Sequence, residues 1–212
     1  MYIVKTPKLV KNYLDGFIWQ VPVDDKRIFL TFDDGPIPEV TPWVLETLAV
    51  FQARASFFCV GDNVFKYPEV FKQVIEQGHT VGNHTYNHLN GWNTPQLVYL
   101  ENVYKCAELV SSNLFRPPYG RIRAAQRSIL AKDFKFIMWD VLSGDFDPAI
   151  SNEKCLENVI RYTEAGSIIV MHDSLKAEKK LRYVLPRVLE HFTQKGFEFA
   201  PILDRDLPIE QV

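Results

Sequence analysis

The chain carries acids, histidines and an arginine at the ends of five strand-like runs. These residues are Asp33, Asp34, His84, Arg116, Asp145 and His172. In a parallel barrel the carboxyl ends of the strands share one face, and side chains from several strands form the active site there. Scattered surface charges account for single positions, but they account poorly for two histidines, three acids and an arginine together. The pattern therefore predicts an active site on one face of the fold.

Two histidines four positions apart, His84 and His88, indicate a metal clamp. If this piece is a helical turn, the two imidazoles lie one above the other and suit an ion such as zinc. The pair alone is a weak signal, because two surface histidines produce the same spacing by chance. In zinc peptidases the second position is a glutamate base, whereas this chain has Thr85. Asp33 and Asp34 can supply the base and a third ligand, since their strand breaks into a turn at this point.

A second candidate pair is formed by His172 and Asp145. His172 follows a buried-type strand, where an imidazole without a function is costly to bury. Asp145 can pair with His172 and keep it protonated, or it can simply cap its own loop. Arg116, which precedes two prolines, can orient a carboxylate through its fork of N–H donors. The alternatives are a core histidine bonded to a backbone carbonyl and a surface arginine before a turn.

Strand-like runs alternate with segments of helical periodicity about seven times, which predicts a mostly parallel sheet with helical crossovers. We expect an α/β fold, a distorted (β/α) barrel with about seven parallel strands, and an open doubly wound sheet is the alternative. The expected strands cover residues 27–32, 55–60, 79–81, 114–115, 134–141, 167–171 and 197–203. The expected helices cover residues 41–50, 67–77, 94–111, 123–131 and 152–164. A last helix is expected from residue 181 to its end at Gly196, kinked or starting late at Pro186.

Length and charge limit the class of protein. The 212 residues show no repeat or linker, and we predict a single domain over residues 1–212. The formal net charge of -2 argues against a nucleic-acid partner. No apolar run in the sequence is long enough for a membrane span. Charged residues stand where a signal peptide would be apolar, so the cytoplasm is the default expectation. The oligomeric state is left open.

Five short motifs follow one another along the chain. Three are specific in combination and two are weaker: Thr31–Pro36, His84–His88 and Arg116–Gly120, then Trp139–Phe146 and Ile169–His172. In this order they resemble the polysaccharide deacetylases of the NodB-homology type, carbohydrate esterase family 4, over residues 27–203. The resemblance implies a distorted (β/α) barrel with fewer than eight strands. It also implies a divalent metal, usually zinc, and hydrolysis of N-acetyl groups on amino sugars.

The resemblance assigns a metal site and a base, position by position. Asp34, His84 and His88 would bind the divalent metal, for which we expect Zn²⁺. Asp33 would be the catalytic base, and Arg116 would brace it.

The resemblance also assigns an acid, with two departures from the family pattern. His172 would be the catalytic acid, Asp145 would tether it, and the backbone N–H of Tyr119 would face the oxyanion. The fourth family motif usually reads Asp-x-x-Asp-Trp, whereas this chain has Leu142 and Phe146 at its first and last positions. These departures concern the substrate groove rather than the reaction centre.

The implied function is that of a metal-dependent hydrolase. It would remove N-acetyl groups from amino-sugar polymers or oligomers, peptidoglycan or chitin-like N-acetylglucosamine, and release acetate. An O-acetyl polysaccharide esterase or a cyclic-amide hydrolase can use the same site, because the loops choose the substrate around a shared centre. A catalytically silent carbohydrate-binding relative is the third alternative, and the presence of both Asp33 and His172 argues against it.

Overall fold

A curled parallel sheet forms the centre of the protein, whose computed structural model describes residues 2–207. The strands are β1 (Phe17–Ile18), β2 (Arg27–Asp33), β3 (Ser56–Cys59), β4 (Thr80–Asn83), β5 (Leu114–Phe115), β6 (Lys135–Ile137), β7 (Val141–Leu142), β8 (Ile168–His172) and β9 (Glu198–Phe199). Strands β2 to β8 follow one another round a ring in chain order, and β8 pairs with β2. Strand β9 pairs with the start of β2.

The ring is open between β6 and β7. Strand β1 pairs with the free edge of β6 at this gap, and Gln20, just after β1, forms an isolated bridge with Ser167. Chain order runs in one direction round the ring, without the reversal of strand order that defines a doubly wound sheet. The predicted distorted barrel is therefore confirmed over the open alternative.

Eight α-helices among the described residues accompany the sheet. They are α1 (Lys8–Tyr13), α2 (Thr41–Val50), α3 (Gly61–Lys66), α4 (Pro68–Glu76), α5 (Gln96–Ala107), α6 (Ala124–Leu130), α7 (Asn152–Tyr162) and α8 (Glu178–Gln194). Short 3₁₀ turns lie at Pro118–Gly120 and Asp204–Asp206. None of the helices between residues 2 and 207 has the length and apolar composition that crossing a membrane requires.

Strand β2 directs alternate side chains to opposite faces of the sheet. The even-numbered residues of Ile28–Phe32 pack against the helices in the largest apolar cluster. Phe29, on the other face, packs against Phe58 of β3 in a second cluster inside the ring. Thr31 and Asp33 share the face of Phe29, so the alternation places these polar side chains inside the ring near its carboxyl end.

The predicted strand over residues 134–141 is wrong, because the chain breaks there into β6 and β7. Between them the Met138 N–H donates to Ile18 O (2.7 Å) and the Asp140 N–H donates to Ile168 O (2.9 Å). The backbone thus crosses the gap in the ring. The sequence patterns also do not predict α1, α3 and β1. Helix α8 runs through Pro186 from Glu178, so the predicted late start is wrong as well.

Two glycines with left-handed backbone give a matched test of the turn that leads into β8. Gly166 (φ 81°) and Gly196 (φ 74°) adopt a conformation that costs other residues about 1–2 kcal/mol. A β-carbon at Gly166 would lie 2.4 Å from the Val21 carbonyl oxygen, whereas one at Gly196 would meet no atom within 4 Å. We expect Gly166→Ala to lower the free energy of unfolding by about 1–3 kcal/mol more than Gly196→Ala. Urea denaturation would measure both, and equal losses would contradict this close approach.

Candidate active site

A cavity of about 280 Å³ opens at the carboxyl ends of the strands. Its polar lining consists of Asp33, Asp34, His84, His88, His172 and Lys176. Its apolar lining consists of Trp139, Leu142, Phe146 and Val170, and the Tyr119 ring stands at its side. Two further predicted residues, Arg116 and Asp145, are buried directly behind this lining. Arg116 hydrogen-bonds to Asp33, and Asp145 hydrogen-bonds to His172. The structure therefore brings all eight predicted site residues together.

Asp34, His84 and His88 form a cluster with the chemistry of a cation site. One ligand atom of each residue lies within 4.8 Å of the others. The Asp34 Oδ1 atom lies 3.2 Å from His88 Nε2 and 3.9 Å from His84 Nε2. This oxygen is buried and has no hydrogen-bond partner among the described residues. A buried carboxylate oxygen is costly to leave unpaired, so a cation between these three side chains fits the arrangement.

His84 is held in the form that a metal ligand needs. Its Nδ1 atom bonds the Arg116 carbonyl oxygen at 2.7 Å, which requires the proton on Nδ1 and leaves the Nε2 lone pair facing the cluster. Burial lowers the pKa of His84 to about 4, so the imidazole is neutral at physiological pH. Neutral imidazole is the species that binds metals.

The segment between the two histidines is not a helical turn, so the condition under which their imidazoles would lie one above the other is not met. Residues 84–88 are irregular, with left-handed backbone at Thr85 (φ 63°) and His88 (φ 54°). The Thr85 N–H donates to Asn83 Oδ1 (2.8 Å), which fixes the bend. The two imidazole rings still meet, with centroids 5.0 Å apart. The four-residue spacing therefore correctly predicts that the two imidazoles are neighbours, although the backbone between them is not helical.

Left-handed backbone is concentrated at this site. Among the described residues, five that are not glycine have positive φ, and four of them are Asp34, Thr85, His88 and Tyr119. Such conformations cost about 1–3 kcal/mol each and persist where the surroundings hold them. At Asp34 the surrounding contact is Asn63, whose Nδ2 donates to the Asp34 carbonyl oxygen at 2.7 Å. This unpredicted asparagine on α3 thus helps to hold the turn that carries Asp34.

Asp33 and Arg116 form a buried ion pair. Arg116 Nη1 donates to Asp33 Oδ1 at 2.6 Å, and the arginine is fully buried. Burial alone would raise the pKa of Asp33. The Arg116 guanidinium and, to a smaller extent, the imidazoles of His84 and His172 together outweigh burial, and the pKa is lowered. Asp33 is therefore a carboxylate at neutral pH. Its second oxygen, Oδ2, lies 3.9 Å from His84 Nε2 and so faces the metal-ligand cluster.

The remaining donors of Arg116 bind the barrel itself. Its Nε donates to Ile137 O (3.0 Å), its Nη2 to Met138 O (3.0 Å) and its Nη1 also to Thr31 Oγ1 (2.8 Å). The guanidinium also lies over the Phe58 ring, 4.0 Å from its centroid. A planar fork with partners on every side cannot rotate freely, so the position of Asp33 is fixed by the strands around it.

His172 and Asp145 form the second predicted pair. Asp145 Oδ1 lies 2.7 Å from His172 Nδ1, and Asp145 Oδ2 accepts the His172 backbone N–H at 2.7 Å. Burial on its own lowers the pKa of His172. The Asp145 carboxylate and, to a smaller extent, Asp34 and Asp33 together outweigh burial, and the pKa rises to about 9. His172 is also the register partner of Asp33 on the neighbouring strand. A cationic imidazole and an anionic carboxylate thus stand side by side in one cavity.

Asp173 is a site residue that the sequence interpretation missed. It is fully buried, and its two carboxyl oxygens accept the Gly35 N–H (3.0 Å) and the Thr41 hydroxyl (2.6 Å). A β-carbon at Gly35 would lie only 2.0 Å from Asp173, so the turn packs directly on this acid. Asp173 therefore holds the turn after Asp34. The available signal was an acid directly after His172, at the end of a buried strand.

Tyr119 takes a position consistent with its predicted role, which stays a prediction. Its ring is exposed and lies 4.7 Å from the His88 ring, edge to face. The backbone beside it packs on an aromatic wall, since a β-carbon at Gly120 would lie 2.7 Å from the Trp139 ring. Lys176, which the sequence interpretation also missed, lines the cavity with its Nζ 5.6 Å from the Phe146 ring centroid.

Comparison with known proteins agrees with this site. The family model for polysaccharide deacetylase matches residues 20–134, a segment that contains the first three motifs. A peptidoglycan-N-acetylglucosamine deacetylase from Bacillus cereus is 30% identical over 195 residues, covering 88% of this chain and 92% of that protein. A chitooligosaccharide deacetylase from Azorhizobium caulinodans is 29% identical, covering 86% of this chain and 96% of that protein.

A solved structure resembles the fold over nearly its whole length. The crystal structure of the Bc1960 peptidoglycan N-acetylglucosamine deacetylase matches with a TM-score of 0.84 and 27% identity, covering 93% of this chain and 95% of that one. Strand order, cavity and family motifs thus lead to one conclusion. The chain is an enzyme of the polysaccharide deacetylase family.

Proposed function

We propose that this protein removes N-acetyl groups from N-acetylglucosamine units of a glycan such as peptidoglycan or a chitin oligomer. The observation that carries the proposal is the pairing of Asp33 and His172 in one cavity. Their environments push the two pKa values in opposite directions, which assigns a base and an acid. The peptidoglycan-N-acetylglucosamine deacetylase from Bacillus cereus and the chitooligosaccharide deacetylase from Azorhizobium caulinodans are named for glycans of this kind.

The cation that we propose for the cluster is Zn²⁺. Asp34, His84 and His88 would hold it, and a set of two imidazoles and one carboxylate with room for a further ligand is typical of catalytic zinc sites. When bound, a divalent cation polarises the acetamide carbonyl and acidifies a water molecule.

Asp33 acts as the base in this proposal. Its Oδ2 atom faces the ligand cluster, while Oδ1 is held by Arg116. The free oxygen accepts a proton from water as the water oxygen bonds to the acetyl carbonyl carbon. The Tyr119 backbone N–H is the proposed donor to the resulting oxyanion, where a fixed dipole is effective.

His172 acts as the acid. An amide nitrogen leaves poorly unless it is protonated, so the Nε2 proton of cationic His172 passes to it as the carbon–nitrogen bond breaks. The Asp145 carboxylate on Nδ1 keeps the imidazole charged and oriented. The products are acetate and a free amino sugar. The apolar side of the cavity, with Leu142 and Val170, suits the acetyl methyl group.

The first prediction is that zinc-loaded protein releases acetate from N-acetylglucosamine oligomers faster than from O-acetylated xylan. Asp33→Asn should lose about 10²–10⁴-fold in turnover, because general-base catalysis has this magnitude. The variant should keep its zinc, since Asp33 is not among the three ligands. Acetate release and elemental analysis measure the two effects. Faster release from xylan would favour the esterase alternative, and near-wild-type turnover of the variant would refute Asp33 as the base.

The second prediction concerns the ligand set. His84→Ala should weaken zinc binding by about 100-fold or more, because it removes one of the three proposed protein ligands. His191→Ala on α8 is the matched control, since His191 is outside the cluster. Titration calorimetry with Zn²⁺ gives both affinities. Stoichiometric zinc retained after dialysis of His84→Ala would contradict the assignment.

The third prediction is the direction of the pH dependence. A general acid works when protonated, so activity is present below the pKa of His172 and is lost as the pH rises through it. That pKa is about 9 in the protein alone, and a bound divalent cation opposes the charge, which places the alkaline limb at or below pH 9. In Asp145→Asn the limb should move toward the ordinary value of 6.5. Profiles of kcat/KM measure it, and an unmoved limb would argue against this acid.

A further inference from the structure

The segment before α1 lies along the open side of the barrel, ahead of the residues that the family model matches. It covers residues 2–6 and contacts the segment from Trp139 to Leu142. The Leu142 N–H donates to Val4 O (2.8 Å), and the Thr6 N–H donates to Asp140 O (2.9 Å). Thr6 Oγ1 also donates to Trp139 O (2.8 Å). This N-terminal segment therefore covers the edge of β7 with regular backbone contacts.

An ion pair with a buried carboxylate fixes the middle of the N-terminal segment. Lys5 Nζ lies 2.6 Å from Asp140 Oδ2, and the Asp140 side chain has no exposed surface. The same carboxylate accepts Ser167 Oγ (2.6 Å) and Gln20 Nε2 (3.0 Å). Lys5 also reaches Glu164 Oε1 (2.8 Å). A fully buried carboxylate requires partners of this kind, so the segment is part of the folded barrel rather than a loose end.

The first described residue of this segment, Tyr2, reaches the loop that carries Asp145. Its ring centroid lies 5.2 Å from that of Phe146. Its hydroxyl covers Gly144, where a β-carbon would lie 2.5 Å from the Tyr2 oxygen. Burial and the neighbouring Asp147 carboxylate raise the pKa of Tyr2 to about 12, so the hydroxyl stays neutral.

Phe146 connects Tyr2 to the catalytic histidine. The Phe146 and His172 ring centroids are 5.2 Å apart with the planes at 74°, an edge-to-face contact. Phe146 therefore lies between Tyr2 and His172, and Asp145, its neighbour in sequence, binds His172 Nδ1. Removal of the Tyr2 ring would therefore take away one of the two aromatic neighbours of Phe146 in the described part of the chain.

We propose that Tyr2 is a positioning residue that orients the His172 imidazole through Phe146. The inference rests on the proposed role of His172 as the acid. Misplacement of a reacting group by a fraction of an ångström to 1 Å is enough to reduce turnover strongly, even when the change lies outside the reaction centre. Tyr2 touches neither the metal-ligand cluster nor Asp33 in the described contacts, so its effect should be confined to the acid.

The test compares Tyr2→Ala, Tyr2→Phe and Tyr13→Ala in zinc-loaded protein. Tyr13 is an exposed tyrosine on α1 and serves as the matched control. We expect Tyr2→Ala to lower kcat about tenfold with KM within about twofold, since an aromatic contact and the orientation of the acid are lost. Tyr2→Phe keeps the aromatic ring and should retain most of the wild-type kcat. Tyr13→Ala should match the wild type.

A double-mutant cycle separates positioning from general damage. In a His172→Ala background Tyr2→Ala should have no further effect, because the group that it orients is gone. Equal losses of kcat in both backgrounds would overturn the inference.

A measurement without substrate tests the orientation of His172 separately from the proposed reaction. The proton NMR resonance of His172 Nδ1–H, assigned by its loss in His172→Ala, should shift or broaden in Tyr2→Ala and not in Tyr13→Ala. The His84 Nδ1–H resonance should stay in place and serves as an internal reference for a folded site. An unchanged His172 resonance in Tyr2→Ala would overturn the inference. A wild-type protein that releases no acetate would instead contradict the proposed function.

Discussion

The buried guanidinium of Arg116 is the constraint on which the rest of the site depends. A cation with no exposed surface must find an anion and a partner for each donor, and Asp33 is its anion. Its other donors take the carbonyl oxygens at the end of β6. Its own carbonyl oxygen accepts a hydrogen bond from His84 Nδ1. One residue thus fixes the proposed base, the tautomer of a proposed metal ligand and the end of a barrel strand.

The proposed base and the proposed acid lie close together, and their different protonation states come from their different surroundings. Asp33 and His172 are register partners on adjacent strands, yet each is paired with a different group of opposite charge. Arg116 keeps the carboxylate ionised, and Asp145 keeps the imidazole protonated. The local pairs therefore prevent the two groups from exchanging their proton directly, which would remove both the base and the acid.

The sequence predicts the barrel and the site residues because both depend on local patterns. Buried strands such as β2 and β8 read as continuous apolar runs, and the polar residues directly after them must meet at one face. The features that it does not predict depend on contacts far apart in the chain. The break at residues 138–140 is held by backbone hydrogen bonds to Ile18 and Ile168, and no local pattern indicates these partners.

The loop from His84 to His88 shows the same limit on a smaller scale. The spacing indicates a pair of imidazoles, but its left-handed bend is held by Asn83 and by Asn102 on α5, whose Oδ1 accepts the Tyr86 N–H at 2.9 Å. Asp173 and Tyr2 likewise acquire their significance only from partners such as Gly35 and Phe146. Helical periodicity cannot predict such partners, because it compares only residues that are close together in the sequence.

The pairing of Asp33 with His172 along β2 and β8 ties the reaction centre to the alignment of two strands. Side chains alternate between faces, so sliding one strand past the other by a single position would turn its terminal residue toward the helices. A mispaired chain would then carry every residue of the site and have no active site. Only molecules whose central strands have paired in the correct register would bring the proposed acid and base together in one cavity.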